Sequence, residues 1–380
     1  MSGTYINSKR LTEEFVELIS IDSLSFREGQ MAERLKEKLR AIGLTVEEDN
    51  AASSLDKDGD GKSASNIYVR LPGNIPGPAR LFCSHMDTVA PGTGKRAVIG
   101  PEGTITSAKD TVLGADDVSG LVSILEALRA IKENDLPHPD LEILFTAAEE
   151  PYCKGSRYVD YDRLHSREGY VLDLTGPVGT AAAAAPSIIS LTVTVTGRAA
   201  HAGFAPEKGI NALSIAAVAL AGIRTGRVDE DLTVNFGTIT GGNGKNIVPE
   251  KIVIEGEIRC LDHERALCEA ERIREEFAHA AARYGGSTEV SVEENIRAYR
   301  VREDRGVVKR LIKASGELGF TSEIIVTYGG SDANRLNEHG IETIVAACAM
   351  ENCHSTQEYT TVDELTRSAQ LTLRLMTERE

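Results

Sequence analysis

The sequence predicts an α/β fold built on a mixed sheet flanked by helices, with a smaller ferredoxin-like α+β domain inserted in it. Three observations lead there. The chain has 380 residues, more than one core usually supports, so two domains are expected. Several histidines and carboxylates stand just past apolar runs that read as buried strands, the edge at which open α/β sheets bind ligands. The middle of the chain reads β-α-β-β-α-β, the ferredoxin-like order.

In chain order, Leu11, Phe15, Leu18 and Ile19 fall at helical spacing, as do Met31, Leu35, Leu39 and Ile42, with Gly43 placed to end the second helix. Leu44 to Glu48 and Asn66 to Leu71 read as strands. Between them, Asp56-Lys57-Asp58-Gly59-Asp60-Gly61 has the opening oxygens and glycine of an EF-hand loop. Its twelfth position is Ile67, where a bidentate Glu is required, so a solvated acidic loop is expected.

After a Pro- and Gly-rich turn, the apolar strand from Leu81 breaks off at His85 and, two residues on, Asp87. A carboxylate so placed can hold the second ring N–H of a metal-binding histidine and raise its basicity. Thr111 to Gly120 leads into a helix with the buried stripe Leu121, Val122, Leu125 and Leu128. Asp116 and Asp117 at its mouth suit its cap and dipole. For Asp117 that role is expected alone; Asp116, one residue further out, can face a metal.

Leu141 to Ala148 is another strand, ending in Glu149-Glu150. Adjacent carboxylates there repel, and a divalent cation removes the penalty, leaving one to ligate and the other free as a base. Tyr170 to Asp173 is a short strand ending in a carboxylate, and Thr343 to Ala349 is a strand followed by Met350-Glu351-Asn352-Cys353-His354. Two histidines and three carboxylates are about what two zinc ions need when one carboxylate bridges them.

Ala181 to Ala185, followed by Pro186, reads as a featureless connection suited to a hinge. Leu191 to Thr196 alternates as a half-buried strand. Ile210 to Ile223 and His263 to Tyr284 read as helices, and Thr233 to Thr240, Ile252 to Cys260 and Thr288 to Val292 as strands. The expected division is 1–185 with 295–380 for the outer domain and 186–294 for the insert. The outer domain resumes with a helix at Arg305 to Leu318 and ends with one at Val362 to Glu378.

Lys and Arg number 42 against 58 Asp and Glu, a net charge of −16. That balance argues against nucleic acid or an anionic membrane as main partner and leaves short peptides and metal ions open. Met1 to Asn7 lacks a signal peptide's charged and apolar regions, and no apolar stretch is long enough to span a bilayer, so a cytoplasmic protein is expected. Six cysteines without a C-x-x-C pair are expected as reduced thiols.

Ser84-His85-Met86-Asp87-Thr88-Val89, Gly114-Ala115-Asp116-Asp117, Ala148-Glu149-Glu150, Asp173, Gly197-Arg198-Ala199-Ala200-His201-Ala202-Gly203 and Gly329-Gly330-Ser331-Asp332-Ala333-Asn334 together resemble the M20 metallopeptidase family. Within it the chain is most similar to the peptidase T-like branch of tripeptide aminopeptidases, over nearly its whole length. The resemblance implies a zinc-peptidase-type catalytic domain and an inserted lid or dimerisation domain. It also implies two zinc ions per subunit, replaceable by cobalt or manganese, and removal of the N-terminal residue of tripeptides.

Carried over by position, it implies that Asp116 bridges the two metals, with His85 and Asp173 completing one site and Glu150 and His354 the other. Asp87 would orient His85, and Glu149 would be the general base to a water activated by the pair. His201 would reach a neighbouring subunit's active site, which implies a homodimer through the insert. Asn246 and Arg259 fit lid positions that hold the substrate backbone and its terminal carboxylate, which an arginine can grip with two N–H donors.

Two alternatives stay open: an M20-type carboxypeptidase or N-acyl amino acid deacylase of the same mechanism, and a peptide- or metal-binding protein without turnover. Cys353, beside His354, is expected as a buried bystander. His138, His165, His263, His279 and His339 are expected in loops or on helix faces without partners.

Overall fold

The two amphipathic stripes near the start form α1 (Ser8–Ile19) and α2 (Gly29–Ala41), and each buries the apolar residues that share its face. The computed structural model describes residues 5–108 and 110–378; the first four residues, on which the leader reading partly rests, lie outside them. No helix among the described residues is long and apolar enough to cross a membrane.

β1 (Val46–Glu48) pairs antiparallel with β2 (Ile67–Leu71). A short helix between them, α3 (Ala51–Leu55), was not expected, because five residues are too few to show a helical period. Beyond it the acidic loop folds on itself, Asp56 accepting from the Asp60 and Gly61 N–H groups. Arg27 pairs with Asp58 and Asp60, so the loop's charge is met by an arginine as well as by solvent.

The chain continues through β3 (Arg80–His85), β4 (Ala97–Ile99), β5 (Thr104–Ser107), α4 (Ala115–Asn134), β6 (Leu141–Thr146), β7 (Glu168–Leu174) and β8 (Thr180–Ala185). Next come β9 (Ser187–Thr196), α5 (Ala212–Gly222), β10 (Gly226–Arg227), β11 (Leu232–Gly241), β12 (Lys251–Cys260), α6 (His263–Tyr284) and β13 (Ser287–Ile296). It returns through β14 (Tyr299–Arg300), α7 (Gly306–Leu318), β15 (Glu323–Val326), α8 (Asp332–Glu338), β16 (Glu342–Ala347), β17 (Tyr359–Thr361) and α9 (Val362–Thr377).

The large sheet runs β1-β2-β6-β3-β7-β16-β8-β14, with β15 also on β8. Its centre, β6-β3-β7-β16, is parallel, and both flanks are antiparallel. The sheet is therefore mixed. The central strands read as continuous apolar runs because a parallel strand is buried on both faces, as β3 and β6 are throughout. The crossover helix α4 packs against α1, α9 and β3. With all four parallel strands pointing one way, residues far apart in sequence emerge at one edge.

The run Ala181 to Ala185 is not a hinge. It is most of β8, fully buried, with β16 on one side and β15 on the other. Alanine has little intrinsic preference for strands, and here pairing and burial decide the matter.

The chain divides into two compact units. One runs to Ala184 and resumes with Arg300–Thr327 and from Ser331; the other is Ala185–Tyr299 with Tyr328–Gly330. In the second, the antiparallel order β11-β12-β9-β13, with β10 at the edge beyond β11, is the ferredoxin-like arrangement. Leu191, Val193 and Val195 alternate inward from β9 onto Ala216 of α5 and Ile273 and Phe277 of α6, so both helices cover one face.

Candidate active site

The edge of the parallel strands gathers the candidate residues. β3 ends in His85, which is buried; Asp173 lies one residue before the end of β7; Glu149 and Glu150 follow β6; His354 follows β16. Asp116 stands at the start of α4, where it and Asp117 are non-helical and joined by a cis peptide bond. Ligand atoms of His85, Asp116 and Glu150 lie within 4.8 Å of one another, as do those of His85, Glu149 and Asp173.

The two oxygens of Asp116 meet different histidines. Oδ1 is 2.9 Å from His85 Nε2 and Oδ2 is 3.2 Å from His354 Nε2. Glu150 Oε2 is 3.0 Å from the same His354 nitrogen, and Asp173 Oδ1 is 3.8 Å from His85 Nε2. Burial works against the charge on Asp116, yet the two histidines hold its carboxyl below the usual range. Asp116, then Glu150, push His354 up to about 10. Burial pushes Glu149, Glu150 and Asp173 up.

His85 tests whether this cluster fits a cation. Its Nδ1 lies 3.0 Å from the Asp87 carbonyl oxygen, which can only accept, so Nδ1 carries the proton and Nε2 turns its lone pair toward Asp116 and Asp173. An acceptor facing two carboxylates needs a positive charge between them, either a second ring proton or a metal ion. Glu150 Oε1, buried and without a hydrogen-bond partner, is a further oxygen in want of a cation. The residues fit.

Asp87 does more than the sequence implied. Its backbone carbonyl is the nearer holder of His85, the carboxylate Oδ1 being 3.5 Å from Nδ1. That carboxylate instead accepts from the Glu149 N–H (2.9 Å), the Glu150 N–H (3.2 Å) and the Ser25 hydroxyl (2.7 Å). The turn it holds also packs on Gly155, where a Cβ would stand 1.9 Å from the Ala147 carbonyl oxygen.

Asp117 is more than a cap. Fully buried, it accepts from the Ser84 hydroxyl, the His85 N–H and the Gly120 N–H, so it ties the end of β3 to α4. Glu358 accepts from the N–H groups of Gly114 (2.7 Å) and Asp116 (2.9 Å). Asp332, from the glycine-rich motif, accepts from the Thr146 hydroxyl beneath the site. For Glu358 no local pattern gave a signal, because its partners lie 244 and 242 residues away in sequence.

Cys353 is half-buried, not buried as expected, and burial with Asp116, Glu358 and Asp173 nearby drives its thiol up. Burial and neighbouring carboxylates do the same to Cys83, Cys153 and Cys348; all six cysteines are free, and Cys268 is exposed. Three of the other histidines do have partners. His263 meets Ser187 and Glu294, His339 stacks on Tyr161 at 3.6 Å, and His138 donates to the Pro139 carbonyl. The contacts of His263 and His339 join segments that sequence spacing does not relate, that of His138 is to the next residue, and all are structural.

His201, Asn246 and Arg259 belong to the second unit. His201 is exposed and stacks on Phe204 at 4.2 Å. Its Nδ1 accepts from the N–H groups of Gly203 and Phe204, both at 3.1 Å, which leaves the ring proton on Nε2. Asn246 is exposed, and its backbone carbonyl accepts from the Ala202 N–H. Arg259 closes its guanidinium on Glu257 through two N–H groups and donates a third to the Tyr328 carbonyl.

The M20 peptidase dimerisation domain family matches residues 184–285, and peptidase family M28 matches residues 66–215. The crystal structure of a tripeptidase from Staphylococcus aureus superposes with a TM-score of 0.93 at 33% identity, covering 98% of each chain. That of the aminopeptidase PepT from Bacillus cereus gives 0.90 at 36% identity, covering 98% of this chain and 99% of that one. The chain belongs to the M20 peptidase family, in its peptidase T-like branch. This M20 peptidase is also 36% identical over 373 residues to YqjE of Bacillus subtilis (strain 168), across 98% of this chain and 99% of that protein. M20 and M28 peptidases depend on metal, and the cluster around His85 is a group of residues that can hold one.

Proposed function

We propose that this M20 peptidase is a di-zinc aminopeptidase that removes the N-terminal residue of tripeptides. The observation that carries the reading is Asp116, whose two oxygens face two histidines, each with a second carboxylate beside it. That is the donor set for a bridged pair: His85 and Asp173 for one ion, Glu150 and His354 for the other. When bound, such ions supply Lewis acidity, which polarises the scissile carbonyl and eases proton loss from water.

The chain's own residues do the rest. Glu149 takes the proton from water and later delivers it to the departing amine; its raised pKa, set by burial, suits a group that must do both. Asp87 fixes the turn that carries Glu149. His201, with its proton on Nε2, donates to the carbonyl oxygen of a peptide in a neighbouring subunit's site as charge develops there. The match of the dimerisation domain family to residues 184–285 supports a homodimer through the insert. Asn246 holds the peptide backbone, and Arg259 takes a substrate carboxylate by exchanging it for Glu257. The free cysteines support a cytoplasmic location.

A panel of di- and tripeptides and acylated amino acids, assayed with zinc, cobalt and manganese, tests the reading. Tripeptides with a free N-terminus are expected to be cleaved and N-acylated ones spared. The opposite profile would make the chain a deacylase or carboxypeptidase, and no turnover by the metal-loaded protein would make it a binding protein.

Shared sites give a second expectation. His201→Ala should lower kcat by about 10²–10³-fold, and mixing it with a Glu149→Ala chain should restore activity at one site of each mixed dimer. A mixed dimer as inactive as its parents would show that His201 serves its own subunit or none.

A further inference from the structure

The segment between α1 and α2 carries a carboxylate with no exposed surface. Glu28 Oε1 accepts from the Phe26 N–H at 2.7 Å and from the Ala148 N–H at 3.0 Å, while Oε2 has no hydrogen-bond partner. Ala148 directly precedes Glu149 and holds a left-handed φ of 47°, a conformation that alanine rarely adopts. The next two N–H groups, of Glu149 and Glu150, go to Asp87. Three consecutive backbone donors thus end on two buried carboxylates from other parts of the chain. Without Glu28 the Ala148 N–H would be buried with no acceptor, and the left-handed residue would lose the bond that holds it.

We propose that Glu28 is a positioning residue that aims the Glu149–Glu150 pair by holding the Ala148 N–H. This rests on the reading of Glu149 as base and Glu150 as ligand. Glu28 makes no hydrogen bond to the side chain of either, nor to His85, so it acts through the backbone alone. Its unpartnered oxygen sits within the field of Asp87, and burial together with that charge pushes the carboxyl up to about 8. What the two backbone N–H groups require of residue 28 is one accepting oxygen at this place, which an amide can also supply.

The test uses the full-length, zinc-loaded protein with Glu28→Gln, Glu28→Leu and Glu28→Asp, reading kcat, KM, zinc retained after dialysis, and thermal unfolding. Glu28→Leu removes the acceptor, and kcat is expected to fall about 10²-fold with KM changed less than about threefold. Zinc retention should fall too, because Glu150 shares the turn. Glu28→Gln is expected to recover kcat to within about threefold of the wild type. Where the leucine variant does not fold, Glu28→Asp, too short to reach Ala148, should show the same fall.

A folded leucine or aspartate variant with normal kcat and zinc would overturn the proposal, as would a glutamine variant no better than leucine. Glu149→Ala, run alongside, separates two failures. If it is inactive while the Glu28 variants turn over normally, the positioning role alone is lost; if it is active, the base assignment is lost.

Discussion

Glu149→Ala is expected to lower kcat by about 10²–10⁴-fold while the protein keeps the zinc proposed for its site. The carboxylate is buried at the end of a parallel strand, and Asp87 grips its backbone N–H, so the truncation removes a proton acceptor without freeing the turn. Metal analysis beside the kinetics is essential, because ligand atoms of His85, Glu149 and Asp173 also lie within 4.8 Å of one another. Zinc lost in step with activity would make Glu149 a ligand. Full turnover would leave the site without its proposed base.

Asp116→Ala should be more damaging, lowering kcat/KM by about 10⁴-fold or more and emptying both proposed zinc sites on dialysis. One carboxylate faces both histidines, so no other single truncation removes an oxygen from each side. The backbone should stay in place, since Glu358 holds the Asp116 N–H independently of the side chain. Asp116→Asn keeps the shape but offers one acceptor and one donor, and it should therefore lose zinc from one side first. Two zinc ions per subunit in the alanine variant, at wild-type affinity, would end the bridging assignment.

What the sequence made legible follows from where order is local. The helix expected over His263 to Tyr284 is α6 residue for residue, because its charged and apolar faces repeat over many turns. The strand ending at His85 was legible because a buried run stops abruptly at polar residues. The candidate cluster was legible for the same reason, repeated at β6, β7 and β16, although the strand ends say nothing of which residue does what.

Tertiary facts escaped. The alanine run looked like a hinge because its burial depends on β15 and β16, well over a hundred residues away. Asp117 looked like a cap because its bonds to Ser84 and His85 cross from another element. Glu28 drew no reading at all, since Ala148, the residue it holds, is 120 residues off. Arg259 looked free to grip a substrate, and Glu257, two residues away on the same strand face, already occupies it.

The state of the sulfur atoms has a practical consequence. An alkylating reagent must reach the sulfur it modifies; Cys83, Cys153 and Cys348 are buried, Cys353 is half-buried, and Cys260 is shut in the core of the insert. A maleimide dye therefore lands on Cys268, out on α6. The native chain thus offers one ready attachment point for a fluorophore, with which the proposed self-association can be tested without engineering a cysteine-free background.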